Sequence, residues 1–334
     1  MARRWKSKRS EADREAAKAQ SEERKSEADN VINGAIERIA DLTDEARSNE
    51  SFREWLDWQG KFHKYSWRNS VWLMIQAEKR ARNVSQFAGY RAWNKLGRQV
   101  RKGEKAFNVF APCRYKRKDE ATGEESYGIR GFRVESTFDI GQTERICEAC
   151  EGNRKAHPDC RRCKGTGYDP EDARPAAPEY RTPGEDHGDA WGRLAAFADT
   201  KGIAVEMVDR IAGGAKGCSY GGRVEVLATM SGAERAATLA HEIAHELLHW
   251  TDDAKLIPDH TRSTQEIEAE GTSYVVMTSF GIDAEKSSFY LASWGGDGDK
   301  VRASLGRIAK AAKEIIEGAA VKVEVEVEAE AAAA

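Results

Sequence analysis

His241-Glu242-Ile243-Ala244-His245 constrains this chain more than any other run in it. The pentapeptide sits inside Ser231–Trp250, which reads as one amphipathic helix. Ser231 and Glu234 supply a capping box, and Ala236, Leu239, Ala240, Ile243, Ala244 and Leu247 form the buried stripe. Four-residue spacing puts both imidazoles on one face, one turn apart, where they can share a divalent ion at roughly 2 Å. Glu242 lies beside them, placed to hold a water on that ion and take its proton. Two histidines leave the site one protein ligand short. The next helix, Arg262–Phe280, offers Glu266, Glu268 and Glu270. Residues 266 and 270 share a face and 268 points away. Glu266 is expected as third ligand and Glu270 as the acceptor that orients a histidine N–H. The alternative has Glu266 capping its own helix from Ser263 and Glu270 on the metal. His249 shares the histidine face but lies about 12 Å from His241 along the axis, so it is read as structural. The donor set suits Zn2+, with Mn2+ also possible.

The second metal signal is thiolate. Cys147-x-x-Cys150 and Cys160-x-x-Cys163 give four sulfurs for one tetrahedral zinc. So short a segment offers little core of its own, so the metal supplies its folding energy. A redox pair normally opens a helix in an α/β setting, which is absent. Cysteines used this way point to a reducing compartment, the cytoplasm. Cys160-Arg-Arg-Cys163-Lys-Gly-Thr-Gly resembles the Cys-x-x-Cys-x-Gly-x-Gly unit of the DnaJ cysteine-rich domain.

Charge separates the two halves of the chain. The formal net charge is −3, yet Arg53–Lys118 holds seventeen Lys and Arg against four acids, a local +13 that leaves −16 elsewhere. The same window holds five of the nine tryptophans. Cations neutralise phosphates and flat rings stack on unpaired bases, so the expected partner is single-stranded DNA. Trp55, Phe62, Trp72 and Ile75 fall at helical spacing and are assigned to the core. Trp58, Tyr65, Trp67, Tyr90 and Trp93 are the stacking candidates. The binding set is Lys64, Tyr65, Trp67, Arg68, Asn69, Tyr90, Arg91, Trp93, Lys95, Arg98, Arg101, Lys102 and Lys105. A solvated basic face is the plainer alternative.

No apolar run is long enough to span a membrane, and none of signal-peptide length follows the basic start. Residues 1–30 read as a disordered charged tail, 31–145 as an α+β domain and 146–168 as the four-cysteine zinc lobe. Proline-rich 169–186 reads as linker, 187–318 as a second domain and 319–334 as a low-complexity tail. Within the first domain, Ser85–Lys95 is expected as a short helix and Gln99–Val109 as a hairpin around Lys102-Gly103.

Together these residues resemble the ArdC-type antirestriction proteins. Tyr65-Ser66-Trp67-Arg68-Asn69, Gln76, Tyr90–Trp93, Gly97–Lys105 and Phe138-Asp139-Ile140-Gly141-Gln142-Thr143 are similar to that family's N-terminal single-stranded-DNA-binding domain. His241–His245 followed by Glu266-x-x-Ala269-Glu270 is similar to its zincin-like domain and to the ImmA/IrrE peptidases. The resemblance implies an α+β, two-domain protein whose C-terminal domain is mostly helical with a small antiparallel sheet. It also implies a mobile-element protein that meets incoming single-stranded DNA and shields it from restriction, with a zinc peptidase acting on an unidentified protein or peptide. Glu242 would be its base, and Tyr220 a candidate for oxyanion stabilisation. Two alternatives stay open: a DNA-binding protein whose metal site is only structural, and a regulatory peptidase that cleaves a repressor.

Overall fold

Helices dominate both ends of the chain and strands its middle, in a computed structural model that describes residues 11–40, 45–118, 125–152, 155–170, 189–251, 253, 255–257, 261–282 and 298–333. The chain divides into two compact units. One takes Met1–Gly34 and Trp72–Pro175, the other Ala35–Val71 and Ala176–Ala334.

Helix α1 spans Glu11–Ala40, so the part of the expected tail that is described is helical. Ala, Glu, Lys and Arg are favourable there, and no Gly or Pro interrupts before Gly34. In the first unit, β1 (Phe87–Ala88), β3 (Phe107–Lys118) and β4 (Glu125–Asp139) form an antiparallel sheet in the order β1-β4-β3. β3 and β4 make a long ribbon from Phe107↔Thr137 to Lys118↔Glu125, shifted in register between Pro112 and Arg114, where proline cannot donate to the ladder. The expected hairpin over Gln99–Val109 does not form. Instead β2 (Arg98–Val100) pairs with β5 (Thr143–Arg145), and β3 goes to β4. The expected 85–95 helix shrinks to α4 (Tyr90–Lys95), because residues 87–88 are taken by the sheet as β1. Trp93, Val100 and Ile140 form the core here, with Ala88 and Phe138 against them.

In the second unit, α2 (Glu45–Lys61) buries Phe52, Trp55 and Leu56. It meets α7 (Arg262–Ser279), where Tyr274 donates its hydroxyl to Asp57 at 2.6 Å. A Cβ on Gly60 would stand 2.5 Å from Thr278, so only glycine allows that approach. Residues 35–71 cluster with the C-terminal elements. α3 (Trp67–Lys79) follows α2, and Trp72 and Ile75 are buried as their spacing predicts.

The C-terminal sheet has the order β6-β8-β7, from Ala204–Val208, Arg223–Leu227 and Gly217–Ser219. It is mixed and not purely antiparallel: β7 runs against β8, but β6 is parallel to it. Residues 209–222 provide the crossover that a parallel pair requires. α5 (Ala190–Thr200) and α6 (Gly232–His249) pack on the sheet, and α7 and α8 (Gly298–Ala333) pack on those helices. α8 runs on through the segment expected as low-complexity tail, which has no glycine or proline after Gly318. Past Pro170 the expected linker lies outside the described residues. Among the described residues no helix is long and apolar enough to cross a membrane.

Candidate metal centres and nucleic-acid face

α6 begins where the sequence predicts. Ser231 accepts from the Glu234 N–H, and the Glu234 carboxylate returns to the Ser231 N–H at 3.2 Å. That cap sets the phase that brings His241 and His245 to one side. Their Nε2 atoms are 3.0 Å apart, and a Glu266 oxygen lies 3.5 Å from the first and 3.7 Å from the second. A tetrahedral ion with ligands at roughly 2.0–2.2 Å sets such edges at roughly 3.3–3.6 Å.

The far sides of both rings are committed. His241 Nδ1–H donates to Glu270 at 3.1 Å. His245 Nδ1 faces His249 Nδ1 at 2.9 Å, and His249 Nε2 faces Glu268 at 3.2 Å. A carboxylate can only accept, so His249 donates through Nε2 and accepts through Nδ1. His245 then donates through Nδ1, which leaves its Nε2 lone pair turned to His241. Two imidazole lone pairs and a carboxylate therefore converge on one point, and that donor set fits a cation. The neighbouring carboxylates Glu266 and Glu270 favour positive charge on the His241 ring. Burial alone would lower His241, but hydrogen bonds to Glu266 and Glu270 raise it to about 10. Glu266 is driven well below the usual carboxylate range by bonds to His241 and His245.

Thr261 and not Ser263 caps α7, accepting from the Thr264 N–H, so Glu266 is not drawn into a cap. Glu270 stands behind His241, away from the convergence point. Glu242 is buried, and burial raises its carboxyl above the ordinary value while the imidazoles oppose the shift. Its Oε1 occupies space that a Cβ on Gly217 would invade at 2.6 Å.

Two further carboxylates hold the site, Glu246, which no sequence pattern singled out, and Glu268, expected only to point away. Buried Glu246 accepts the backbone N–H groups of Tyr220 (3.1 Å), Gly221 (2.9 Å) and Gly222, so the loop between β7 and β8 is pinned to α6. Gly221 and Gly222 have φ of +76° and +94°, the left-handed conformation that lets successive N–H groups point at one anion. Their Gly-Gly pairing was the available signal. Glu268, expected to point away, does so and grips His249, Ser304 and Arg307 instead. Tyr220 does not offer its hydroxyl to the metal side; it donates to Glu225 at 2.9 Å.

The four cysteine sulfurs form the other convergent group, all within 4.8 Å. Cys147 and Cys160 are 3.9 Å apart, Cys150 and Cys163 3.6 Å, close to the roughly 3.8 Å edge of a tetrahedral zinc–thiolate site. Burial would raise the Cys163 thiol, but the Gly167 N–H at 3.3 Å and the neighbouring thiols bring it down to about 6. Gly165 must be glycine, since a Cβ there would meet the Pro158 carbonyl at 2.2 Å. Backbone bonds from Ile146 to Gly97 (2.7 Å) and from Cys147 to Gly167 (3.0 Å) tie down the base of the lobe.

The run Phe138–Thr143 closes the N-terminal fold. Asp139 accepts from the N–H groups of Ser85, Gln86 and Gly141, and Gln142 caps Asp139 in return. Thr143 receives Arg98 Nε at 2.8 Å, and Gln76 brackets Asn108 through both backbone groups. A profile describing the N-terminal domain of anti-restriction factor ArdC matches residues 25–138. Those residues are therefore similar to the N-terminal domain of ArdC.

Two crystal structures of the antirestriction ArdC protein from the R388 plasmid are similar to the chain. The metal-free form has 22% identity and a TM-score of 0.44, and the Mn(II)-bound form 21% and 0.40. Each alignment covers 76% of this chain and 84% of that one. No curated protein matches the chain.

Within the ArdC domain match, the expected binding residues part company. Lys64, Arg68, Tyr90, Arg91, Lys95, Lys102 and Lys105 are exposed, while Tyr65, Trp67 and Arg101 are half-buried. Three are corrected. Trp93 is 1% exposed and donates its indole N–H to the Phe138 carbonyl, so it is core and not a stacking platform. Arg98 is buried on Thr143, and Asn69 is buried inside α3. Lys64 to Asn69 lie in the second unit, the remainder in the first. The β3–β4 ribbon carries aromatic groups that sequence analysis did not name: Tyr115, Tyr127 and Phe132 are 38%, 64% and 52% exposed. Arg130 and Lys116 lie over the first two rings. Alternation of basic and aromatic residues along both strands was the signal for them.

Proposed function

We propose that this chain is an ArdC-type antirestriction protein that binds single-stranded DNA and carries a zinc-dependent peptide hydrolase in its C-terminal unit. The hydrolase half is carried by one observation, the convergence of His241 Nε2, His245 Nε2 and a Glu266 oxygen beside buried Glu242. His241, His245 and Glu266 would hold the ion. When bound, zinc supplies Lewis acidity, polarising a carbonyl and making water acidic near neutral pH. Glu242 takes the proton from the attacking water and returns it to the leaving amine, a double duty suited to its raised pKa. Glu270 and the His249–Glu268 pair hold the two ligand rings in the required tautomer. Glu266 is 51% exposed at its side chain, so the site has an open side for substrate.

Metal analysis tests this half. The purified protein is expected to carry two ions per chain, and His241→Ala and Cys160→Ser one each. Glu242→Gln keeps both and loses hydrolysis. Two ions retained by His241→Ala would sink the assignment.

The DNA half rests on the ArdC domain match together with the exposed cations of that domain. Titration of labelled single strand and duplex at two salt concentrations is expected to give tighter binding to the single strand, with a steep loss of affinity for both as salt rises. Equal affinity for the two forms rules out stacking.

A further inference from the structure

A cavity beside the four-cysteine lobe gives that lobe a use beyond holding its metal. A space of about 610 Å3 opens between the lobe and the α4–β2 face of the N-terminal unit. That volume lies within the range of small-ligand sites, roughly 300–1,000 Å3. Tyr90 and Phe138 line it from the domain, Tyr168 from the lobe, and Arg101, Lys102 and Lys155 supply cations from both. We propose that the lobe and the α4–β2 face together form a pocket for one unstacked nucleotide of a single DNA strand. The inference rests on the single-stranded-DNA reading and adds to it the place and the residues.

The chemistry of the lining matches a nucleotide in two respects. Tyr90, 48% exposed, and half-buried Tyr168 both line the space, and aromatic rings there can stack on a base. Lys102 and Lys155 are exposed cations able to meet a phosphate. Glu104 is the one acid among the described lining residues, and its charge is already balanced by Arg82 at 2.9 Å and Arg101 at 3.2 Å. The lobe side is held rigidly. Tyr168 bridges to Ile146 at the root of the cysteine loops, and the Asp169 N–H donates to the Arg145 carbonyl at 2.9 Å. Gly152 lines the cavity with φ of +70°, and a Cβ there would strike Ile146 at 2.9 Å. The knuckle that holds the metal thereby sets one wall of the pocket.

Fluorescence anisotropy with a labelled fifteen-residue oligothymidylate tests the proposal on the full-length protein. Lys155→Ala and Tyr168→Ala are each expected to weaken binding roughly five- to hundredfold, the range for removing one stacked base or one phosphate interaction. Lys164→Ala, an exposed lobe cation outside the cavity, leaves affinity unchanged, and zinc content stays at the wild-type value in all three. A strand carrying 5-iodouracil is expected to crosslink to Tyr168 or Tyr90. Wild-type binding with unchanged affinity in both cavity variants overturns the pocket while leaving DNA binding standing. No wild-type binding to the strand removes the DNA reading itself. If thymidine monophosphate alone binds as tightly as the strand, the site serves a free nucleotide and the strand assignment is overturned.

Discussion

Glu268→Ala is expected to lower the stability of the protein by about 3–5 kcal/mol, the usual result of removing one partner from a buried ion pair. Glu268 and His249 have side chains 0% and 1% exposed, and Ser304 is fully buried. The carboxylate accepts from His249, Ser304 and Arg307 together. Alanine takes one carboxylate acceptor from a buried N–H, a buried hydroxyl and a guanidinium at once. Thermal melting of the variant measures the loss. A second consequence separates this from ordinary core damage. Without Glu268 nothing compels His249 to present Nδ1 as acceptor, so His245 loses the bond that fixes its tautomer. Affinity at the histidine site should fall about 10–100-fold. Glu270→Ala is the control: its side chain is 27% exposed and bonds only His241 in this network, so it should cost metal affinity without a comparable loss of stability. Melting of Glu268→Ala at the wild-type temperature would remove the relay from consideration.

The contrast between Glu266, Glu268 and Glu270 also marks what the sequence made legible. Helical periodicity alone separates 268 from the other two, and four-residue spacing alone predicts that His241 and His245 meet. What periodicity cannot supply is the partner of the averted residue. Glu268 matters because α8 brings Ser304 and Arg307 to it, a tertiary contact between segments with no local signal in either. Glu246 is similar. Its role depends on the left-handed pair Gly221-Gly222, and nothing in α6 itself announces that the loop before it folds back.

Strand pairing was the least legible part of the fold. Lys102-Gly103 does form a turn, with Gly103 at φ +89°, but the strands on its two sides do not pair with each other: β2 goes to distant β5 and β3 to the strand that follows it, β4. Local alternation identifies a strand and is silent on its neighbour. The parallel β6–β8 pair is hidden for the same reason. Trp93 shows the limit for surfaces. Its neighbours Arg91 and Lys95 are exposed cations, and only the Phe138 carbonyl, forty-five residues on, draws the indole inward. Composition marks a basic aromatic segment, yet it cannot divide exposed ring from core within it.

Stripping metal from the four-cysteine lobe is the other change expected to have a large effect. Among the described residues its hydrophobic cluster consists of Cys147, Cys150, Cys163 and Cys160 and nothing else. Ordering each residue of backbone costs about 1–2 kcal/mol, so a loop this long needs tens of kcal/mol in return, and four thiols cannot provide that by burial. Binding of a structural zinc contributes about 10–16 kcal/mol, and backbone bonds at the base add to it. Chelation, or Cys160→Ser, is therefore expected to unfold residues 146–168 while the C-terminal unit keeps its own melting transition. Limited proteolysis gives the clearest measurement: cleavage should begin within the lobe at Lys155, Arg161, Arg162 or Lys164 on metal removal and stop when zinc is restored. A lobe that resists trypsin equally with and without metal would falsify the claim that the ion holds it. The same experiment orders the two centres. His241→Ala should leave the lobe protected, because its sulfurs share no ligand with the histidine site.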